Sequence, residues 1–259
     1  MKLPAPLYKV TLVLLLATTL GLGGCATGED RDPRDPLEPL NRATHSFNDM
    51  LDRAVIKPLA QGYNFIMPVP ANRGVSNFFN NIADVRSALN NLLQFKIGRA
   101  FSDVGRVAVN TTVGVLGLID VASNLNLPRY GEDFGQTLGV WGFGPGPYLV
   151  LPILGPSSGR DSVGLVVDWY TDPIRWLLND DTWRWRLRGL QLVDTRAGLL
   201  NASRVLEQAA LDEYAFVRDA FLQRRQSLVY DGNPPDEFEE EFEDEFDDQG
   251  ETPQEGQVQ

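Results

Sequence analysis

Cysteine and histidine are almost absent: the 259 residues include one of each, Cys25 and His45. A single cysteine excludes an intramolecular disulfide, whatever the redox state of the compartment. A single histidine with no second His or Cys nearby cannot build the usual zinc ligand sets, so His45 reads as a helix-surface residue. The paired acids Glu132-Asp133 and Asp180-Asp181, and Glu207, match no calcium-loop spacing. No cofactor and no metal is expected. A basic surplus is missing too, since 35 acidic side chains face 23 basic ones. The excess acid is local: after Arg225 there are 13 acids and no Lys or Arg, leaving 22 acidic against 23 basic before it, a net of +1. The body is therefore close to neutral, with no basic face to track phosphates, and nucleic acid is excluded as a partner.

What is present begins at the N-terminus. Lys2 and Lys9 precede an apolar run from Val10 to Leu22, too short for a stable span. The run ends in Leu22-Gly23-Gly24-Cys25, which resembles a bacterial lipobox. Residues 1–24 read as a lipoprotein signal peptide and Cys25 as the acylated mature N-terminus; the alternative is a chance or buried thiol. Each acyl methylene adds about 0.8 kcal/mol of membrane affinity, so several chains together anchor a protein essentially permanently. Asp at the position after the cysteine usually retains such proteins at the inner membrane; here it is Ala26, which implies outer-membrane sorting. Residues 25–39, rich in Asp, Arg, Pro and Gly, read as a flexible tether, residues 40–228 as one helical domain, and residues 229–259 as an acidic disordered tail. In that tail Phe238, Phe242 and Phe246 recur four apart, a stripe that would form if the tail docked on a basic partner.

In the body, apolar residues recur at helical spacing, as in Phe47, Met50, Leu51, Ala54 and Val55, and again in Val75, Phe78, Phe79, Ile82, Leu89, Leu92 and Leu93. Pro58 should kink or end the first of these helices, and the second should start after Pro68-Val69-Pro70. Further helices are expected over residues 99–109, 195–210 and 212–228. The one strand signal is Tyr148–Leu151. The nearly uncharged segment Val104–Leu118 suits a buried, re-entrant or interfacial element rather than a span. Leu138–Leu154 is punctuated by glycine and proline and reads as a hairpin with a flexible tip. The fold class is all-α.

Gly155-Pro156-Ser157-Ser158-Gly159 fits the pattern of a hydrolase nucleophile elbow, but that chemistry needs a histidine downstream of the serine. His45 lies far upstream, so the segment reads as a loop and no enzyme activity is expected. Trp169, Trp176, Trp183 and Trp185 cluster with Arg175 and Arg184. Indole and guanidinium together favour the headgroup layer of a bilayer, although core packing accounts for some tryptophans. Trp141, Phe143 and Tyr148 flank Gly142, Gly144 and Gly146, bulky groups beside residues free to adopt positive φ. The pattern suits a gate, or simply close packing.

Several stretches carry a resemblance. Asp35-Pro36-Leu37-Glu38-Pro39-Leu40-Asn41-Arg42, Arg73-Gly74-Val75-Ser76-Asn77-Phe78-Phe79-Asn80-Asn81, Asn91-Leu92-Leu93-Gln94-Phe95-Lys96, Asp133-Phe134-Gly135-Gln136-Thr137-Leu138-Gly139-Val140-Trp141-Gly142 and Gly146-Pro147-Tyr148-Leu149-Val150-Leu151-Pro152 resemble the MlaA (VacJ) lipoproteins. The resemblance covers roughly residues 35–225. It implies a ring of amphipathic helices around a central channel, seated in the inner leaflet of the outer membrane with a bound trimeric porin. It further implies that misplaced phospholipid passes through the channel to the periplasmic carrier MlaC. A phospholipase and a structural envelope anchor are the competing classes; the first lacks partners for Ser157, and the second has no need of glycine-rich apolar hairpins.

Replacing Cys25 with Ser should abolish acylation and leave the chain soluble or as uncleaved precursor. Fractionation followed by mass spectrometry of the N-terminal peptide checks this; a Cys25→Ser chain that still reaches the outer membrane contradicts it.

Overall fold

The computed structural model describes residues 32–235, so Cys25, the signal peptide and the acidic stretch from residue 236 lie outside the described residues. Ten α-helices and one short hairpin make up the described part. The first helix, α1 (Glu38–Leu51), has Pro39 in its opening turn, where a missing N–H costs nothing. It does not end at Pro58. A π-helical turn, Asp52–Ile56, connects it directly to α2 (Lys57–Ile66), with the Lys57 N–H donating to the Asp52 carbonyl five residues back. In a regular α-turn the proline ring would strike the carbonyl of residue 54, and the wider π-turn relieves that clash.

The helix α3 (Val69–Leu93) starts at the Pro68-Val69-Pro70 signal and α4 (Ile97–Thr112) follows after a tight turn. The remaining helices are α5 (Val121–Asn124), α6 (Phe134–Val140), α7 (Gly159–Thr171), α8 (Pro173–Leu177), α9 (Asp181–Ala209) and α10 (Glu213–Val229). Each of these six begins at an Asp or Ser whose side chain takes a first-turn N–H: Asp120, Asp133, Ser158, Asp172, Asp180 and Asp212. Such caps satisfy donors that the helix itself leaves open. The helix expected over 195–210 is thus the second half of a single 29-residue helix. Its first half holds the Trp/Arg cluster, whose aromatic and charged composition masked the helical pattern.

Strands β1 (Tyr148–Leu151) and β2 (Gly155–Ser158) pair antiparallel, Tyr148 opposite Ser158 and Leu151 opposite Gly155. The tip of this hairpin is therefore Pro152–Leu154. The glycine-rich stretch from Gly142 to Gly146 is instead the loop between α6 and β1, which corrects the expectation of one hairpin over Leu138–Leu154 with the glycines at its tip. Two domain edges also move. Asp35 is fully buried, and Asp32 and Arg34 are tied to Arg218 and Asp219, so the end of the expected tether belongs to the body. At the other edge Val229 is buried and Asp231 pairs with Lys96 and Arg99, which carries the body past residue 228.

Helix contacts run in a closed circuit: α1 on β1, β1 on β2, β2 on α10, α10 on α6, α6 on α3, α3 on α9, α9 on α2, and α2 back to α1 through the π-turn. What the helices bury is unusual. Along α4 the inward positions Asp103, Arg106 and Asn110 are polar, while Phe101 and Val104 face outward; along α3 Asn81, Asp84, Ser87 and Asn91 line the buried stripe while Leu89, Leu92 and Leu93 are exposed. Arg106 is 2% exposed, whereas Phe65 is 91% and Phe95 84%. A globular helix buries its apolar stripe; these two bury the polar one. Among the described residues an apolar cluster of buried side chains, Tyr148, Val150 and Tyr214 with Phe221 and Leu222 against it, sits where β1 meets α10. Among the described residues no helix is long and apolar enough to cross a membrane.

Asp84→Ala should leave the Arg106 guanidinium without its most buried partner. The expected loss is about 3–5 kcal/mol, read as a large drop in melting temperature of the full chain in detergent micelles. An unchanged melting temperature would mean that the ion pair is not holding α3 to α4.

Candidate functional site

The polar interior is a chain of buried ion pairs and hydrogen bonds centred on α3 and α4. Arg106 of α4 donates to Asp84 at 3.0 Å, to both oxygens of Asp120 at 3.2 Å, and to the Leu127 carbonyl at 2.6 Å. Arg129 takes the other oxygen of Asp84 at 2.7 Å. Next along the helix pair, Asp103 accepts from Ser87 at 2.6 Å and Asn91 at 2.8 Å. Burial raises the Asp103 carboxyl above its ordinary value despite these two hydrogen bonds. Gln94 reaches Glu132 at 3.0 Å, and Thr137 donates to Asn90 at 2.8 Å.

A second node joins α6, α7 and α10. Arg225 grips both oxygens of Asp133 at 2.6 and 2.9 Å and reaches Asp161 at 2.8 Å. Burial pushes the Asp133 carboxyl up, but the hydrogen bonds and charge of Arg225 outweigh it and hold the value at about 2. Gly135 and Gly164 make this crossing possible, since a Cβ on Gly164 would lie 2.4 Å from the Gly135 nitrogen.

The gate residues expected from sequence separate here. Trp141 and Phe143 are exposed on the α6–β1 loop, with the Trp141 indole donating to the Leu93 carbonyl at 3.1 Å. Tyr148 is not with them: it is fully buried in the apolar cluster, because it is the first residue of β1. Gly142 and Gly146 hold φ of +92° and +67°, whereas Gly144 does not adopt positive φ and has open space around its α-carbon. The loop is fastened at both ends. Gly142 and Phe143 donate back to α6 at Gly139 and Leu138, and the Arg160 and Gly159 amides hold Pro145 and Pro147 at 2.9 Å. Gly144 lies between the two fastened ends of the loop. Behind it lies a cavity of about 180 Å³ bounded by Gly146, Arg160, Phe221 and Arg225.

Trp169, Trp176, Trp183 and Trp185 are all exposed, but only two of them come together, at the corner formed by α7, α8 and the start of α9. The Trp169 and Trp185 rings meet tilted at 45° with centroids 6.1 Å apart, while the Trp176 indole donates to the Tyr170 carbonyl. Arg188 lies over Trp169, Arg186 over Trp183 and Arg175 over Tyr170, each within about 5 Å of the ring. Arg184 pairs with Asp181.

Ser157 lies within β2, paired with Leu149, and not on the strand-to-helix turn of a nucleophile elbow. Its hydroxyl is buried against Ser162 at 3.0 Å, and the neighbouring Ser158 caps α7. His45 packs edge-on against Tyr214. An apolar turn at 113–119 was not singled out from sequence beyond its lack of charge. Val113, Val115, Leu116, Leu118 and Ile119 are all exposed there, with Val115 and Leu116 at φ of +54° and +57°. A β-branched residue at positive φ is a strained conformation. Asn77 and Asn110 hold the base of the turn by accepting from or donating to its backbone.

The model of the MlaA lipoprotein family matches residues 33–228. The intermembrane phospholipid transport system lipoprotein MlaA of Escherichia coli is 36% identical over 229 residues, 85% of this chain and 88% of that protein. Its namesake in Haemophilus influenzae is 36% identical over 230 residues, covering 86% and 91%. A solved structure from work on the structural basis for maintenance of bacterial outer membrane lipid asymmetry superposes with a TM-score of 0.65 at 34% identity, covering 77% of this chain and all of that one.

The Asp133–Arg225 pair has a definite pH signature. A carboxyl held below its ordinary value contributes stability that is complete above that value, 3.8, and lost as the pH falls toward about 2. The buried carboxyls raised by desolvation, Asp103, Glu132 and Asp168, act in the opposite sense and are common to both proteins compared. Asp133→Asn should therefore lower stability at neutral pH and flatten the fall in melting temperature between about pH 4 and pH 2 relative to the wild type. Parallel curves would show that this pair carries no net linkage.

Proposed function

The chain belongs to the MlaA lipoprotein family, and on that premise we propose that it withdraws phospholipid from the outer leaflet of the Gram-negative outer membrane and delivers it to a periplasmic carrier. It is a membrane-associated lipoprotein of intermembrane phospholipid transport, and its work maintains outer-membrane lipid asymmetry. The observation that carries this reading is the reversed placement of side chains: charged and amide groups such as Arg106, Asp84, Asp103 and Gln136 inside, and some forty large apolar side chains outside. That surface suits hydrocarbon rather than water, while a headgroup crossing hydrocarbon costs several kcal/mol unless polar groups accompany it.

Cys25 supplies the acyl anchor on the periplasmic side of the outer membrane. The helical circuit encloses the lipid path, the carrier is MlaC, and a trimeric porin holds the ring in place. Transfer needs no nucleotide here, because a carrier that binds lipid tightly draws it forward by mass action. The chain does this without catalysis; the Ser157 hydroxyl has a hydroxyl rather than a base beside it. The α6–β1 loop gates the path through Trp141 and Phe143, hinged about Gly144 between its fastened ends.

Deleting the gene in its own bacterium should raise outer-leaflet phospholipid, measured by labelling surface phosphatidylethanolamine with an impermeant amine reagent, and the wild-type chain should reverse this. Gly144→Val tests the gate cleanly, since a Cβ there meets no neighbour within 4 Å and φ is not left-handed; Gly142→Val is strained whatever the gate does. The Gly144→Val chain should reach normal abundance and melting temperature yet leave outer-leaflet phospholipid high. Normal asymmetry in that strain ends the gating claim, and normal asymmetry in the deletion strain ends the transport claim.

A further inference from the structure

The corner between α7, α8 and α9 holds a cavity of about 270 Å³, lined by Trp169, Ile174, Arg175, Asp181, Arg184, Trp185 and Arg188. Its donors exceed its acceptors. Asp181 is the carboxylate in its lining; Asp172, next to it, is fully engaged, one oxygen taking the Ile174 amide at 2.8 Å and the other Arg188 at 2.7 Å. Asp181 points largely into solvent and pairs with Arg184 at 2.9 Å. Against them stand three guanidinium groups, leaving one positive charge in excess.

One of the guanidinium groups lining this space is unpaired. Arg175 has the Tyr170 ring beneath it and no acidic partner among the described residues. Arg184, also in the wall, donates to Asp181 and to the Asn179 carbonyl. The Trp169 and Trp185 rings add a polarisable wall. Around the mouth, Trp176 and Leu177 are about three-quarters exposed. An anion bonded to Arg175 and Arg184 and carrying apolar chains across that rim fits the cavity; a free anion leaves the rim unused.

Resting on the phospholipid reading above, we infer that this pocket binds the phosphodiester of a phospholipid, with the Arg175 and Arg184 guanidinium groups around the phosphate oxygens and the Trp169–Trp185 pair against the glycerol. Guanidinium groups suit this because their fixed fork matches phosphate geometry. The pocket is separate from the α6–β1 loop and from the cavity behind it.

The test uses the full acylated chain in dodecylmaltoside, with tryptophan fluorescence as the readout and three probes: dihexanoylphosphatidylglycerol, dihexanoylglycerol and inorganic phosphate. The phospholipid should give a saturable change that the diglyceride and phosphate do not reproduce. Arg175→Gln should weaken it roughly tenfold, as expected for one lost charge-assisted contact, and Arg175→Gln/Arg184→Gln further. Arg175 is exposed, so its single variant keeps the test meaningful should the double variant misfold. Arg186→Gln, outside the pocket, should bind as the wild type does. Equal binding of the diglyceride would reduce the corner to a membrane-contact surface, equal binding of phosphate would make it a free-anion site, and unchanged affinity in Arg175→Gln would remove the assigned ligand; each overturns the inference. A failure of the deletion strain to change asymmetry would sink the transport reading while leaving this binding result intact.

Discussion

The ion pair of Arg106 with Asp84 is the constraint on which the rest of the structure depends. A guanidinium and a carboxylate, both almost wholly removed from solvent, are tolerable only when every donor and acceptor finds a partner. Meeting that requirement recruits Asp120, Ser123, Arg129 and the Leu127 carbonyl, which fixes α3 against α4 and folds the chain after α4 back over both. The buried polar stripe then continues through Asp103, Asn91 and Ser87 to the Glu132 amide, which the Ser87 hydroxyl accepts. One consequence follows directly: with the polar faces of α3 and α4 turned to each other, their apolar faces have nowhere to go but out.

That inversion explains what could and could not be read from the sequence. Helix positions were legible because periodicity and caps are local: Pro68-Val69-Pro70 opens α3, and Asp212 opens α10. Orientation was not, because an amphipathic stripe has the same period whichever side faces inward. Val75, Phe78 and Leu89 look like core until Asp84 and Arg106 are seen pairing behind them. The π-turn before Pro58 was hidden for a related reason, since a proline signals a conflict with the helix and not how the chain resolves it. The long α9 was split because its Trp/Arg half reads as a surface patch. Tyr148 was grouped with Trp141 and Phe143 by adjacency, but strand alternation turns it inward and anchors it beside Tyr214.

The stretches that carry the family resemblance include several of these buried polar residues. Asp35 and Asn41 meet beneath β1, where the Asn41 amide donates to Asp35 at 2.7 Å and to the Tyr148 carbonyl at 3.0 Å, and its carbonyl accepts from the Val150 amide. Asp133, Gln136 and Thr137 do the same work at α6, and Arg160 and Asp161 at α7. In a protein with an apolar core many side chains of the right volume serve equally well. A buried amide or carboxylate has fewer substitutes, because both the group and its partner must be matched. A signature written in Asn, Asp, Gln and Arg is therefore what a polar-cored helical ring should leave in its sequence.

The same chemistry makes the interior rigid and leaves movement to the periphery. The nodes at Arg106 and Arg225 join helices distant in sequence through charge-assisted bonds, so opening either would expose unpaired charge to a medium that cannot solvate it. Where Gly135 and Gly164 meet, the backbones of α6 and α7 are too close for one helix to slide past the other without a collision. Rearrangement that admits a lipid thus has few places to occur. The middle of the α6–β1 loop, between its fastened ends, is the one proposed above. The exposed turn at 113–119 is not another: Gly114 and Gly117 are packed against Asn110 and Asn81 with no room for a side chain, so its apolar tip is presented as a fixed wedge. On the proposed gating, a rigid polar ring needs only one short movable loop to pass a ligand without deforming, and the direction of passage is then set by which compartment binds the lipid more tightly.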